Sequence, residues 1–332
     1  MHIVRHPAFR WMISICLLVL MAYQLWVRSD HFQTFHIESW KRSGWYIALV
    51  FVLMPVNWWL ETLKWHGFLS VHARVGFRRA FKAVTSGIAL SLFTPNRIGE
   101  YGGRILFMPY AVRWPVVFST LMGSVSQNLV AFGMGTMAFI LLFKGLILFK
   151  ILGIALLALG AVAYFKMHQV IQWVCRWNLH KSFLRLINQL AFLKDYHSRL
   201  LFRSLVIAFL RYVVYISQFV LLLNAFEPQT SVAQLFLGVS CLYLFHTIIP
   251  MPPVADVLAR TNIALILWSG TGMSELSISL ASFIVWIINL LIPAILGSLA
   301  IGTIETDKPF KTNDSHFSPS FEPVVTDQSK VH

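Results

Sequence analysis

Thr94-Pro95-Asn96-Arg97-Ile98-Gly99-Glu100-Tyr101-Gly102-Gly103-Arg104 interrupts one apolar stretch of this chain, and Pro250-Met251-Pro252-Pro253-Val254-Ala255-Asp256-Val257-Leu258-Ala259-Arg260 interrupts another. Each breaks its helix with proline, which has no N–H to donate and clashes with the preceding turn. Each then ends in an acid four residues before an arginine. Ionised groups near hydrocarbon are costly and mark functional sites by default. The two acids and the two arginines are each offset by 156 positions (256 − 100 and 260 − 104), which points to two structural halves.

The surrounding composition sets the class. Hydrophobic residues make up 57% of the 332 and charged residues 12%, and the mean hydropathy is +0.68. These values lie outside the soluble globular range and describe a polytopic membrane protein. Runs of roughly 20 apolar residues, enough for about 30 Å of hydrocarbon, place six spans: Trp11 to Val27, Trp45 to Leu63, Val116 to Phe143, Leu146 to Phe165, Ser204 to Ala225 and Ile278 to Thr303. Two weaker stretches, Ala83 to Phe93 and Val232 to Ile249, precede the two motifs and read as half-helices of re-entrant hairpins. The first span follows Arg5 and Arg10 but lacks a small-residue cleavage site, so it reads as a retained anchor.

Charge gives the orientation. The net charge of +14 could suggest nucleic acid, but the positives lie between spans and report topology. Lys64 to Lys82 carries five cations and no acid, and Lys166 to Arg203 carries seven against Asp195 alone; both are expected to be cytoplasmic. Arg28 to Gly44 is nearly balanced and Phe226 to Ala233 has only Glu227, so both face outward. Threading the chain through these assignments puts both termini in the cytoplasm and makes the halves, about 1–143 and 146–303, inverted copies with hairpins from opposite sides. The fold class is thus an all-α integral membrane domain over 1–303, with about six transmembrane helices and two re-entrant hairpins in an inverted repeat. Secondary transporters use that architecture, with substrate held at the repeat interface. Residues 304–332 read as a disordered cytoplasmic tail.

The polar residues inside this frame are the site candidates. An acid at i and an arginine at i+4 share a helix face, so Glu100 with Arg104 and Asp256 with Arg260 can neutralise each other. Arg97 adds a cation, and a helix N-terminus after Pro95 or Pro253 would favour a phosphate. Asn57 and Glu61 lie one turn apart near the end of span two, with Lys64 placed for an ordinary interfacial pair with Glu61. Arg211 lies inside an apolar run on the face of Gln218, and its expected partner is Asp256, Glu100 or a lipid phosphate. Gln127, Asn128 and Asn289 read as interhelical hydrogen-bonding groups. The substrate-binding candidates are therefore Arg97, Glu100, Arg104, Arg211, Asp256 and Arg260, supported by Pro95, Asn57, Glu61, Gln218, Pro250 and Asn289. Trp and Phe residues read as interface belt and lipid-facing bulk.

At Thr94-Pro95-Asn96-Arg97-Ile98-Gly99-Glu100 the chain resembles the lysylphosphatidylglycerol synthase transmembrane-region family, whose motif is commonly T-P-G-R-x-G-E. The likeness extends from Trp11 to Thr303 and includes Asn57, Glu61, Lys64, Trp65, Arg211-Tyr212, Gln218, Trp286, Asn289 and Pro293. It implies a bacterial inner-membrane protein related to the flippase region of multiple peptide resistance factors, which move aminoacylated anionic phospholipid between leaflets. By that likeness Arg97, Glu100 and Arg104 are lipid headgroup contacts. Asn96 stands where glycine is usual, and the second hairpin has Asp256 where many relatives have glycines and a glutamate. Only a short tail follows span six, so the family's synthase activity is not carried over.

No Walker loop, nucleophile elbow, zinc motif or acid-rich metal cluster is written in the chain. No catalytic residue, cofactor or metal is therefore expected. Cys16, Cys175 and Cys241 are scattered without metal spacing. The expected function is a lipid or glycolipid flippase whose partners are membrane lipids, either anionic phospholipid or a lipid-linked headgroup, and not nucleic acid; a homo-oligomer is compatible with the sequence. The alternatives are a membrane enzyme using Glu100 or Asp256 as base on a lipid-linked substrate, and a non-transporting envelope-assembly partner.

Overall fold

The computed structural model describes residues 37–92, 94, 97–175, 190–248, 253–268 and 272–303, and among these it is all helix with no strand. The expected span Trp11 to Val27 and the tail 304–332 lie outside the described residues. Five helical segments are long and apolar enough to cross a membrane: Gly44–Leu69, Tyr110–Leu142, Ile147–Phe165, Ser198–Phe226 and Glu275–Gly302. They match the five expected spans within the described residues. The helices are α1 (Ile37–Leu69), α2 (Phe77–Ser91), α3 (Gly99–Ile105), α4 (Arg113–Leu142), α5 (Ile147–Phe165), α6 (Met167–Cys175), α7 (Ser198–Phe226), α8 (Val232–Ile248), α9 (Pro253–Leu267), α10 (Glu275–Trp286) and α11 (Ile292–Gly302).

Span two runs on beyond Leu63 to Leu69, which takes Lys64 out of the loop counted for orientation and puts it inside the protein at 2% exposure. The extension is stable because Lys64 has carboxylate and amide partners there. In the last span, five residues from Ile287–Leu291 form a π turn, with the N–H of Ile292 reaching the carbonyl of Ile287. Pro293 has no N–H for the carbonyl of Asn289, and widening the helix is one way to absorb that loss.

At each motif two short helices pack on each other, α2 with α3 and α8 with α9, each such pair being termed a hairpin. α2 has 15 residues and α3 has 7, about 22 and 10 Å at about 1.5 Å per residue, so neither spans about 30 Å of hydrocarbon. They pack antiparallel with backbones nearly touching: a methyl at Gly103 would run into the backbone of Ser86 and Gly87. Arg79 Nε donates to the carbonyl of Phe107 (2.7 Å), closing the base of this hairpin. In the second hairpin, formed by α8 and α9, the N–H of Ser274 donates to Glu227 Oε1 (3.0 Å) and closes the base in the same way.

α1 and α7 form the central pair and run antiparallel, since Gln218 bonds the carbonyl of Val50, Arg211 bonds Asn57 and Asn224 bonds Tyr46. The first hairpin follows the C-terminal end of α1 and the second follows the C-terminal end of α7, so they hang from opposite ends of the pair. α2 packs on α11, and α8 packs on α4. At the first of these contacts Gly297 is required, because any side chain there would enter the Thr85 carbonyl. Between helices in lipid the hydrophobic effect is weak, and such close approach is what provides the attraction.

The loop between α1 and α2 meets the 3₁₀ turn Leu190–Asp195. His72 sits edge-on to Phe192 and Tyr196, with Nδ1 3.6 Å from Asp195. Burial among these rings holds the imidazole below its ordinary range, against the pull of Asp195.

Two outcomes test this packing. Gly103→Ala should lower stability by about 1–3 kcal/mol through overpacking, seen as a reduced Tm in detergent. Gly102→Ala, where a methyl meets nothing within 4 Å, should leave Tm unchanged. For His72, the unfolded chain takes up a proton near about 6.5 and the folded chain only at lower pH. Stability is then present above that value and is lost as pH falls through the window below it. Taking the buffer from pH 7.5 to 5.5 should therefore lower Tm less steeply in His72→Phe than in the parent.

Candidate functional site

The polar residues of α1 recur at helical spacing, with Asn57, Glu61 and Lys64 on one face. Because α7 runs antiparallel beside it, Arg211 falls opposite Asn57 and Glu61. α3 brings Arg104 to the same carboxylate from the hairpin side. Glu61 is 7% exposed and Arg104 1%, so their charges are set by each other and not by water.

Glu61 is held by three cations. Arg104 Nη2 donates to its Oε1 (2.9 Å), while Lys64 Nζ lies 2.7 Å and Arg211 Nη1 3.1 Å from its Oε2. Arg104 Nη2 is shared with Glu100 Oε1, as the four-residue spacing implies, and Arg97 Nε lies 3.7 Å from Glu100 Oε2. The Arg104 guanidinium also stacks on Trp65, 5.3 Å from the ring centroid, and Trp65 Nε1 donates to Thr120 Oγ1 (3.1 Å). Arg104 Nε and Nη1 are buried and have no hydrogen-bond partner among the described residues.

A neutral network continues from these charges through the centre of the protein. Arg211 Nε donates to Asn57 Oδ1 (2.9 Å), Asn57 Nδ2 to Asn289 Oδ1 (2.7 Å), Asn289 Nδ2 to Gln218 Oε1 (2.8 Å) and Gln218 Nε2 to the Val50 carbonyl (3.0 Å). Gln127 Oε1 accepts from Lys64 (3.3 Å) and Arg211 (3.1 Å). In the second hairpin Arg260 is 2% exposed; its Nη1 donates to Tyr215 Oη (3.0 Å), and its guanidinium lies against Tyr215 and Tyr243.

The sequence candidates are thus largely brought together. Asn57, Glu61, Glu100, Arg104, Arg211, Gln218 and Asn289 form one cluster with Arg97 at its rim, and Arg260 reaches Tyr215, one turn beyond Arg211. Pro95, Pro250 and the side chain of Asp256 lie outside the described residues. Four expectations are corrected. The partner of Arg211 is Glu61, because the antiparallel register of α1 and α7 sets those two opposite each other. Lys64 is a buried member of the cluster and not an interfacial counter-ion. Asn128 is exposed and makes no hydrogen bond among the described residues, being turned about 100° from Gln127 on the helix. The first N–H of α3, on Gly99, donates to Thr94 Oγ1 (2.7 Å) and is not offered to a ligand.

Trp65, Thr120, Tyr215 and Tyr243 were not singled out in this role. Aromatic residues are abundant throughout the chain, and only the partner helix distinguishes a buried one from the lipid-facing majority. The i,i+8 relation of Trp65 to Asn57 was the available signal, since it puts the ring on the polar face.

The profile of the family described as lysylphosphatidylglycerol synthase TM region matches residues 11–297. The chain therefore belongs to that family, and it is a multi-pass membrane protein. No curated protein and no solved structure matches it.

Glu61→Gln should leave three cations, Lys64 and Arg104 buried and Arg211 partly so, around a neutral amide. The expected cost is about 3–5 kcal/mol, the usual result of breaking a buried ion pair from one side. Combining it with Lys64→Gln should return part of that loss in a double-mutant thermal-unfolding cycle. Additive losses would mean that the two side chains are not coupled.

Proposed function

We propose that this member of the lysylphosphatidylglycerol synthase TM-region family is a lipid flippase of the bacterial inner membrane, holding an anionic lipid headgroup between two re-entrant hairpins. In this reading the loops rich in Lys and Arg and both termini are cytoplasmic. The first hairpin enters from the cytoplasm and the second from outside, and the halves form an inverted repeat. Several features support it. The helices of the first hairpin are too short to span, each hairpin is tied at its base, and the first helix of each packs on the last span of the opposite half.

The observation that carries the proposal is the line from Arg104 through Glu61 to Arg211, one helical turn from Tyr215, to which Arg260 of the second hairpin donates. It joins the arginine of one hairpin to the arginine of the other through the central pair. Cations held there by rigid helices can receive a phosphate while the acyl chains stay in lipid. Glu61 and Glu100 each hold arginine or lysine, an arrangement that suits binding better than proton abstraction, for which an unengaged carboxylate serves. The site is accordingly read as non-enzymatic.

Reconstitution into vesicles with a fluorescent anionic phospholipid tests the proposal, with dithionite reporting the outer leaflet. Losing one charge-assisted contact of about 1.5–3 kcal/mol should slow flipping roughly 10- to 100-fold in Arg211→Gln and in Arg260→Gln. Flipping undiminished in both, with each variant monodisperse, would remove the proposed site.

A further inference from the structure

Resting on the reading of the cluster as a headgroup site, we infer that Ser124 and Asn128 of α4 line a polar window at the middle of the membrane. Through it a lipid headgroup reaches the buried arginine of the first hairpin while the acyl chains stay outside. Asn128 lies 15 residues after the start of α4 and 14 before its end (128 − 113 and 142 − 128), about 22 and 21 Å at about 1.5 Å per residue. With about 30 Å of hydrocarbon to cross, that is close to the midplane. Asn128 is exposed and Ser124, one turn before it, partly so, and neither side chain makes a hydrogen bond among the described residues. An amide set against hydrocarbon without a partner is costly at that depth. Water or a polar ligand suits this face, and lipid tails do not.

The face is bared by where α8 stops. α4 runs parallel to α7, since Ser119, Ser126 and Gln127 meet Tyr196, Ser204 and Ala208 in that order. α8 follows α7 after a short loop and packs back on it, with Tyr243 against Tyr215, so it is antiparallel to both. Gly135 stands two turns beyond Asn128 on the same face of α4, and a methyl there would run into Leu244 and the Ser240 carbonyl of α8. Seven residues back along α4 correspond to seven onward along α8 from the middle of that contact, to about position 249 (242 + 7), whereas α8 ends at Ile248. On the other side of Asn128, Thr120 is buried and accepts from Trp65 Nε1. One face of α4 is thus covered by α8 at Gly135 and by α1 at Thr120, and it is open between them at Ser124 and Asn128.

The window adjoins the site. The Trp65 ring that covers Thr120 also carries the Arg104 guanidinium, whose Nε and Nη1 are buried without a hydrogen-bond partner among the described residues. Gln127, the neighbour of Asn128, accepts from Lys64 and Arg211. An amide and a hydroxyl each donate and accept, which matches the hydroxyls and phosphodiester oxygens of a headgroup and offers an acyl chain nothing. α11 supplies the contrast. It packs on α2 through Gly297 as α4 packs on α8 through Gly135. Leu290, seven residues before Gly297, packs with Ala89, Leu92 and Trp286, so the position that carries the amide beside α8 is apolar and packed beside α2.

The test uses the full chain in nanodiscs, with Cys16, Cys175 and Cys241 replaced by alanine and one cysteine introduced. The probe is a water-soluble trimethylammonium methanethiosulfonate, which reacts with thiolate and so reports contact with water. Asn128→Cys should react at least about tenfold faster than Leu156→Cys, an exposed position midway along α5. In the flipping assay with fluorescent phosphatidylglycerol, Asn128→Leu should be slower by about 2- to 10-fold, the loss of one neutral hydrogen bond, and Asn128→Gln should keep most of the rate. Labelling of Asn128→Cys no faster than that of Leu156→Cys would overturn the inference. So would an undiminished rate in Asn128→Leu, or a dimer that Asn128→Leu splits into monomers, which would make the amide a contact with a second copy of this chain. Rapid labelling with no flipping by the parent protein would remove the transport reading and leave the polar window standing. If Asn128→Leu does not fold, the labelling comparison decides alone.

Discussion

The Glu61 carboxylate is the contact on which the rest of the arrangement depends. It receives Lys64 from its own helix, Arg211 from α7 and Arg104 from the first hairpin, so one side chain fixes three elements that lie far apart in sequence. Helices in lipid gain little from burying apolar surface against one another. Their positions are set by close backbone approach, as at Gly103 and Gly297, and by polar contacts that cannot be left unmade. Three cations brought this close without a carboxylate between them would repel, and each would have to find water or leave. The polar centre of this chain is accordingly part of what determines its fold, as well as being the candidate site.

Two features follow from how Glu61 is held. Arg211 cannot move toward a ligand without releasing Glu61, Asn57 or Gln127, so any displacement of it is felt by α1, α4 and α7 together. The chain of amides from Asn57 through Asn289 to Gln218 passes through the π turn of the last span. A helix segment without its regular i to i+4 bonding there joins the central pair to the element on which the first hairpin packs. Movement of that hairpin would thus reach the central pair along two routes, one ionic through Arg104 and one through α11.

Much of this was legible in the sequence, and the illegible parts have a common cause. The five described spans follow from apolar length, and the pairing of Glu100 with Arg104 follows from four-residue spacing. Asn57, Arg211, Gln218 and Asn289 were identifiable because polar groups inside apolar runs need partners. Which partner each one finds was not readable, because that depends on the register of two antiparallel helices separated by more than 150 residues. Glu61 was readable as a supporting residue, but its spacing to Lys64 fitted an ordinary interfacial pair equally well; only the extension of α1 to Leu69 puts both inside. The π turn was equally hidden, as Pro293 implies a disturbed helix but not which disturbance.

α1 and α7 differ most where their polar positions correspond most closely. Asn57, Glu61 and Lys64 on α1 are each 154 positions before Arg211, Tyr215 and Gln218 on α7 (211 − 57, 215 − 61, 218 − 64), nearly the offset of the hairpin arginines. At equivalent places Arg104 donates to Glu61 and Arg260 donates to Tyr215. Asn57 and Arg211, which occupy matching positions, bond each other at the centre. A carboxylate on α1 thus corresponds to a phenol on α7, and an amide to a guanidinium. Each difference adds one positive charge on α7 relative to the pattern on α1, and the change from Lys64 to Gln218 removes one. The excess positive charge of the cluster therefore stems from the departure of α7 from α1, and it lies in the central pair more than in the hairpins that display the motif.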